Sequence, residues 1–310
     1  MKTFKCPYCG GTLSLNAHSF REAVCPYCGN SFMLTEADWG ISESTGEILK
    51  EMVGGKAVGE FIARKLHEAN EDEAWKHGAH HLSFPTDKGE LELAFRQQLR
   101  NGAVEMFVCR SNIALLFDSS ADAEAYLGSV RRLKYPGRAD SRSLRQYMPD
   151  ITADFSLTDG RRIVIIARGS HEFPLINYVN MPHVHAAWVT SRLENICCLM
   201  EYNDVSVKDL NIRDLFVDVQ SHQISLYGAF WRLESHTSDR QLSDLRSIVR
   251  ELIGLDKKEN RCADGKPIPE AFYDFLSESP QPTAFQDFER WDAMLMLSYH
   301  NRTFVKYEEN

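Results

Sequence analysis

Two near-identical pentapeptides, Cys6-Pro7-Tyr8-Cys9-Gly10 and Cys25-Pro26-Tyr27-Cys28-Gly29, constrain this 310-residue chain more than any other feature. Together they read C-x2-C-x15-C-x2-C, the spacing of a four-cysteine zinc site. Cysteines three apart in a tight turn aim both sulfurs at one metal, and Gly10 and Gly29 permit the positive-φ backbone such a turn needs. Four thiolates fill a tetrahedral shell and leave no position open to water. Zn2+ held by Cys6, Cys9, Cys25 and Cys28 is therefore expected to be structural, not catalytic. A segment this short builds no core of its own, so metal binding supplies its folding energy. Two disulfides or a redox pair are the alternatives; a cytoplasmic setting disfavours the first and the duplicated knuckle the second. Cys109, Cys197, Cys198 and Cys262 lack metal spacing and read as buried or incidental thiols.

The motif resembles the zinc ribbons that open many prokaryotic and phage proteins, and it covers residues 1–35. Such ribbons bind nucleic acid, bind protein or cap a domain, and the motif does not choose among these. The opening Met-Lys-Thr-Phe-Lys-Cys enters the ribbon at once, so no signal peptide is expected and the location is read as cytoplasmic. No apolar run approaches the roughly 20 residues that span a bilayer. The formal net charge of −9 argues against nucleic-acid binding as the main role, because that binding rests on neutralising phosphates with Lys and Arg. A local basic stretch remains, with Arg131, Arg132, Lys134, Arg138, Arg142 and Arg145 opposed only by Asp140. It reads first as a solvated helix face and loop.

Residues 36–77 form a polar, glycine-punctuated linker followed by an amphipathic helix over Val58–His77. Strands are expected at His81–Phe84, Leu91–Phe95, Val104–Cys109, Ile113–Phe117, Ala153–Leu157 and Ile163–Ala167, with a helix over Ala121–Leu133. Thr158-Asp159-Gly160 turns the last two strands into a hairpin. Beyond Pro182 helices dominate, at Val184–Leu199, Ser238–Leu255, Pro269–Ser277 and Phe285–His300, interrupted by a strand pair at Leu215–Val219 and Gln223–Tyr227. The C-terminal aromatics Phe272, Tyr273, Phe275, Phe285, Phe288 and Trp291 have helical spacing and read as core. His77, His80 and His81, and His183 with His185, lack the spacing of a zinc protease and read as surface histidines.

A small sheet with one helix, then a helical region holding a two-strand insert, is the order of elements in protein kinases. The run Val207-Lys208-Asp209-Leu210-Asn211-Ile212-Arg213-Asp214-Leu215-Phe216-Val217 resembles a worn H-R-D-x-x-x-x-N loop. Asp209 stands where the catalytic aspartate falls and Asp214 where the metal-binding asparagine falls. A second register would use Tyr202-Asn203-Asp204 instead. Ile224 to Phe230 resembles the strand leading into D-F-G, with Gly228 at its aspartate, and Asp244 matches a buried aspartate of the central helix. Ile113-Ala114-Leu115-Leu116 resembles V-A-I-K with Leu116 at its lysine, and Arg162–Arg168 the strand entering the hinge. The implied fold is α+β: a zinc ribbon (1–35), a linker and helix (36–77), a β-rich kinase-like small lobe (78–180) and a helical large lobe (181–310).

The departures from the family point away from catalysis. Kinase chemistry is charge stabilisation and positioning by the lysine and the metal ions. Leu116 and Gly228 remove both, and Gly89 stands alone where a glycine-rich loop would lie. ATP with Mg2+ therefore lacks its usual ligands, and Asp209 and Asp214 read as vestigial. The resemblance implies a non-catalytic, pseudokinase-like interaction protein with a protein partner and no membrane. Two alternatives stand beside it. One is a divergent phospho- or nucleotidyltransferase that places Asp209, Asp214 and Asp218 around magnesium. The other is a nucleic-acid binder using the ribbon and the Arg131–Arg145 segment.

Overall fold

The computed structural model describes residues 2–5, 12–15, 22–24, 31–33, 78–87, 89–136, 144–255, 261–263 and 265–300. The chain divides into two compact units, Met1–Gly78 and Ala79–Asn310. In the first, β1 (Lys2–Lys5) pairs antiparallel with β2 (Thr12–Leu15), and β3 (Glu22–Val24) pairs with β4 (Ser31–Met33). Each pair brackets one C-x2-C pentapeptide in sequence. Cys6, Cys9, Cys25 and Cys28 themselves, the linker and the helix expected over Val58–His77 lie outside the described residues.

The second unit begins with six antiparallel strands: β5 (His80–Thr86), β6 (Gly89–Asn101), β7 (Val104–Cys109), β8 (Asn112–Phe117), β9 (Ile151–Ser156) and β10 (Arg162–Ala167). Their order is β5-β6-β7-β8-β10-β9. The right-handed twist of a sheet this wide curls it, and the two edges meet at one end. Thr86 bridges Leu157, and the Thr158 N–H donates to the Pro85 carbonyl at 3.1 Å. One face of the sheet closes on a small cluster built around Phe84, Phe95 and Phe107, with ring centroids 4.9 Å apart for the last two. The other face packs on helix α1 (Ser120–Arg132). Ser119 caps that helix by accepting the Asp122 N–H, and Arg131 and Arg132 suit the negative end of its dipole.

After β10 come β11 (Glu172–Pro174), the 3-10 turn η1 (Leu175–Tyr178) and helix α2 (His183–Tyr202). Then follow β12 (Val205–Val207), η2 (Ile212–Asp214), β13 (Leu215–Asp218), β14 (Gln223–Leu226), η3 (Phe230–Arg232) and β15 (Leu233–Ser235). Helices α3 (Ser238–Leu252), α4 (Glu270–Ser277) and α5 (Ala284–Tyr299) complete the unit. Two small sheets, β11-β13-β14 and β12-β15, lace the loops together. One continuous core runs from the α1 face of the large sheet through α2 to α5. The boundary at 180/181 suggested by the sequence falls inside this unit.

The three C-terminal helices are joined by one buried ion pair. Arg246 of α3 donates through both terminal nitrogens to Asp287 of α5 at 2.8 and 2.9 Å, and through Nε to the Phe275 carbonyl of α4. Its guanidinium also lies 4.3 Å from the Phe275 ring centroid. Of the aromatic stripe, Phe272, Phe275 and Trp291 are buried as expected, while Phe285 is exposed. The expected strand Leu91–Phe95 is longer than its alternation suggested, since β6 runs through the polar Gln97, Gln98 and Arg100 to Asn101. The remaining expected strands and helices of residues 80–300 lie within three residues of their observed ends.

Glu194 of α2 is fully buried and lies against the carboxylate of Asp287. Burial first, and then the charge of Asp287, pushes its pKa well above 4.5. The folded state thus holds a proton that the unfolded chain gives up, so this stabilisation is complete below pH 4.5 and is lost as pH rises toward the displaced value. Glu194→Gln is expected to flatten the decline in stability as pH rises above 4.5 and to leave the acidic end unchanged. Urea unfolding across that range measures it; a parallel decline in both proteins would contradict the assignment.

Candidate functional site around Asp214

The loop that resembles H-R-D-x-x-x-x-N leaves β12, passes Asp209 and turns through η2 into β13. Asn211 opens the turn with a reciprocal cap. Its side chain accepts the Arg213 N–H at 3.0 Å, and Asp214 Oδ2 accepts the Asn211 N–H at 3.0 Å. The Asp214 carbonyl accepts N–H groups from Tyr227 (2.9 Å) and Gly228 (3.1 Å), which locks the end of the β13–β14 hairpin onto the turn. Asp244 of α3 accepts the Leu210 N–H, and Gln241 accepts the Val207 N–H at 2.7 Å, so the loop is also held from below. Burial raises the Asp244 pKa to about 6, against that hydrogen bond.

The Asp214 carboxylate is wholly buried, and three groups converge on it. Asn101 donates to Oδ1 at 2.6 Å from the turn between β6 and β7. Arg232, from the end of η3, forms an ion pair with Oδ2, and the Asn211 N–H completes the set. Arg232 also donates to the Lys208 carbonyl at 2.6 Å and the Asp209 carbonyl at 3.2 Å. Burial pushes the Asp214 pKa to about 6, with Arg232 the strongest pull in the other direction. The carboxylate is paired with Arg232.

The sheet also meets the 3-10 turns η1 and η3. Besides Asn101, Gln97 of β6 and Asn177 of η1 exchange amide hydrogen bonds at 2.7 and 2.8 Å. Gly102, at φ +61°, lies against the Trp231 ring, and a Cβ there would sit 3.1 Å from it. The glycine of consequence is therefore Gly102, in the turn over the loop; Gly89 begins β6 at its far end. Gly228 is as tightly enclosed, since a Cβ would lie 2.9 Å from Asp214 Oδ1 and 3.0 Å from its Cα.

The resemblance at β8 needs correction. A lysine that pairs with the following helix must face that helix. Leu116 and Ala114 point into the opposite cluster, and Ile113, Leu115 and Phe117 face α1. On the α1 side Phe117 lies 5.3 Å from Tyr126, and Tyr126 lies edge-on to Phe230 at 5.8 Å, while Glu124 of α1 reaches Arg162 of β10 at 3.5 Å. The Tyr126 hydroxyl donates to the Tyr227 carbonyl at 2.7 Å. Behind it, Tyr227 donates to both oxygens of buried Glu172, and Arg168 donates to the carbonyls of Cys109, Arg110 and Glu172.

The other sequence candidates are dispersed. Asp209 is exposed, at φ +53°. Asp218 turns its carboxylate onto its own hairpin, accepting from Gln220, Ser221 N–H and the Ser221 hydroxyl. Asp209, Asp214 and Asp218 are thus not gathered around one point. Among the described residues no group of three or more His, Cys, Asp or Glu is placed to hold a metal ion. Asp204 follows the end of α2, before β12. His183 meets Tyr299 and His185 meets His222. Of the basic segment, Arg131, Arg132 and Lys134 are exposed, Arg145 stacks on Tyr135 at 5.0 Å, and Arg138 and Arg142 lie outside the described residues. A groove of about 520 Å³ lies elsewhere, between the end of α2 and the start of α5, lined by Pro136, Leu144, Cys198, Tyr202, Phe285 and Phe288 among others.

Because both the carboxylate and the backbone of Asp214 crowd position 228, Gly228→Ala is expected to destabilise the protein by about 1–3 kcal/mol. Chemical denaturation measures this. An unchanged midpoint would mean that the space around Asp214 is looser than described.

No family model matches the sequence, and no curated protein does. Among solved structures, vaccinia related kinase 3 is similar with a TM-score of 0.50 and 11% identity, over 69% of this chain and 91% of that one. WbdD in co-crystal with the kinase inhibitor LY294002 is similar at 0.45 and 12% identity, over 67% of this chain and 46% of that one. The kinase domain of a Toxoplasma gondii specific rhoptry antigen is similar at 0.43 and 11%, over 69% and 85%. The chain spans about half the length of the WbdD chains it matches. The likeness to vaccinia related kinase 3 speaks to fold alone, and that fold is the one the order of elements already suggested: the chain carries a protein-kinase-like domain.

Proposed function

We propose that this chain is a non-catalytic kinase-fold protein that acts by presenting its surface to a protein partner. One observation carries the reading: the place where a kinase would hold phosphates and metal is filled by the protein's own side chains. Asp214 corresponds to the metal-binding asparagine of the family loop and Asp209 to its catalytic aspartate, in the register that puts β12 before Asp209. The carboxylate at Asp214 is already satisfied by Asn101, Asn211 and Arg232. No second carboxylate stands at Gly228, and between the sheet and α1 the rings of Phe117 and Tyr126 pack together. Phosphoryl transfer rests on positioned charge, so an exposed Asp209 alone has nothing to act on. The free thiols at Cys109, Cys197, Cys198 and Cys262 suit a reducing compartment, which supports the cytoplasm. No described helix is long and apolar enough to cross a membrane.

The test is the melting temperature of the purified chain with ATP, with and without Mg2+. A ligand at about 100 times its dissociation constant stabilises by about 2.7 kcal/mol. We expect no shift in either condition and no transfer of labelled phosphate. A Mg2+-dependent shift, or phosphotransfer abolished by Asp209→Ala, would refute the reading and favour a divergent transferase.

The ribbon is proposed to hold one structural Zn2+ through Cys6, Cys9, Cys25 and Cys28. The paired strands β1–β2 and β3–β4 on either side of each knuckle support this, since a turn-borne C-x2-C needs its flanks held together. Elemental analysis should find zinc at about one ion per chain, and Cys6→Ser with Cys9→Ser should abolish it. Retention of zinc in that variant would remove the assignment.

A further inference from the structure

A kinase-like fold implies magnesium, and here the residues do not fit it. Magnesium in this fold is held by two protein groups, the D-F-G aspartate and the loop asparagine. Position 228 has no side chain, and a Cβ there would already crowd Asp214. Asp214 has Oδ1 taken by Asn101 and Oδ2 by Arg232 and the Asn211 N–H.

What Arg232 touches is informative. Its guanidinium joins one buried carboxylate, the Lys208 carbonyl at 2.6 Å and the Asp209 carbonyl at 3.2 Å. A carboxylate and two carbonyls form the all-oxygen set that hard divalent cations select. The planar fork of an arginine can serve the same oxygens, and it stays charged at any physiological pH. Arg232 is fixed from behind by its neighbour, lying 5.5 Å from the Trp231 ring centroid, while the Trp231 Nε1–H donates to the Gly228 carbonyl at 3.1 Å.

We propose that Arg232 is the resident cation of this site: a tethered charge that neutralises Asp214, holds the Lys208–Asp209 backbone to the turn, and keeps the site closed to divalent metal. This rests on the non-catalytic reading and adds its cause. A wholly buried carboxylate must have a counter-charge or take up a proton. Without Arg232 the space opens onto three oxygens, and a free cation becomes the substitute.

The test uses the full chain as wild type, Arg232→Ala, Asp214→Asn and the double variant. Melting temperatures are recorded with millimolar Mg2+ or Mn2+, and separately with methylguanidinium against matched NaCl. Arg232→Ala should melt about 5–10 °C below wild type. Mg2+ or methylguanidinium should raise its melting temperature with saturation, while wild type does not respond. The double variant should melt above Arg232→Ala and ignore both cations, because no buried charge is left. Any response of the ribbon to metal is common to all four proteins and cancels. The proposal is overturned if Arg232→Ala melts like wild type, if neither cation restores it, or if Asp214→Asn gives no relief. Should Arg232→Ala fail to fold, the double variant decides: folding supports charge neutralisation, and failure refutes it. A nucleotide shift in wild type would strike the non-catalytic reading and leave this comparison standing.

Discussion

The arrangement of residues 79–310 turns on the need to satisfy one buried charge. Asp214 sits at zero exposure where a loop, a hairpin and a 3-10 turn meet. A carboxylate there is tolerable only if its lone pairs are filled and its charge is matched. Its partners come from three separate stretches of chain: Asn101 from the sheet, Asn211 from the loop and Arg232 from the segment after β14. Satisfying the carboxylate therefore also assembles the fold, because each partner brings its element with it. Gly102 against Trp231 and Gln97 with Asn177 then follow as packing around an approach that Asn101 has already set.

Close by, the molecule solves the same problem by removing charge altogether. Phe117 and Tyr126 pack with tilted rings, and Tyr126 meets Phe230 edge-on. The Tyr126 hydroxyl is the one polar atom in that set, and it is spent on the Tyr227 carbonyl. Aromatic packing needs no counter-ion and no water, so this half of the site is held without a ligand. The two halves are consistent with each other. A lysine among these rings would be a buried cation without a partner, because the nearby carboxylate of Asp214 is already matched by Arg232.

Much of this fold was legible in the sequence, and the failures have particular causes. Helices α1 to α5 and the β13–β14 pair lie close to where the sequence placed them. Strand β6 hid its second half because Gln97, Gln98 and Arg100 break the apolar alternation, although Gln97 and Gln98 have cross-chain partners. Strands β11, β12 and β15 are three residues each, too short for any period to show. Leu116 was assigned to the wrong face because Ile113–Phe117 is apolar throughout, and a strand buried on both sides carries no alternation to read. The loop aspartates were visible through their spacing. Their meaning was not, since the partner Asn101 lies 113 residues from Asp214, and nothing local marks it. Arg232, only 18 residues away, carried a weak signal: an arginine four positions after the missing D-F-G aspartate, beside a tryptophan.

A closed site also changes what selection can act on. In an enzyme of this fold the polar groups of the loop face a ligand, and their burial is temporary. Here Asp214 is fully buried and is bonded by the half-buried Asn101 and Arg232. Replacing such a set by apolar side chains is often neutral or stabilising, so a charged pair here calls for a reason other than stability. Directionality supplies one: an ion pair with four further hydrogen bonds accepts a single geometry, whereas apolar contacts slide. The pair fixes the register between the sheet and the loop, and with it the relative placement of every surface the two carry.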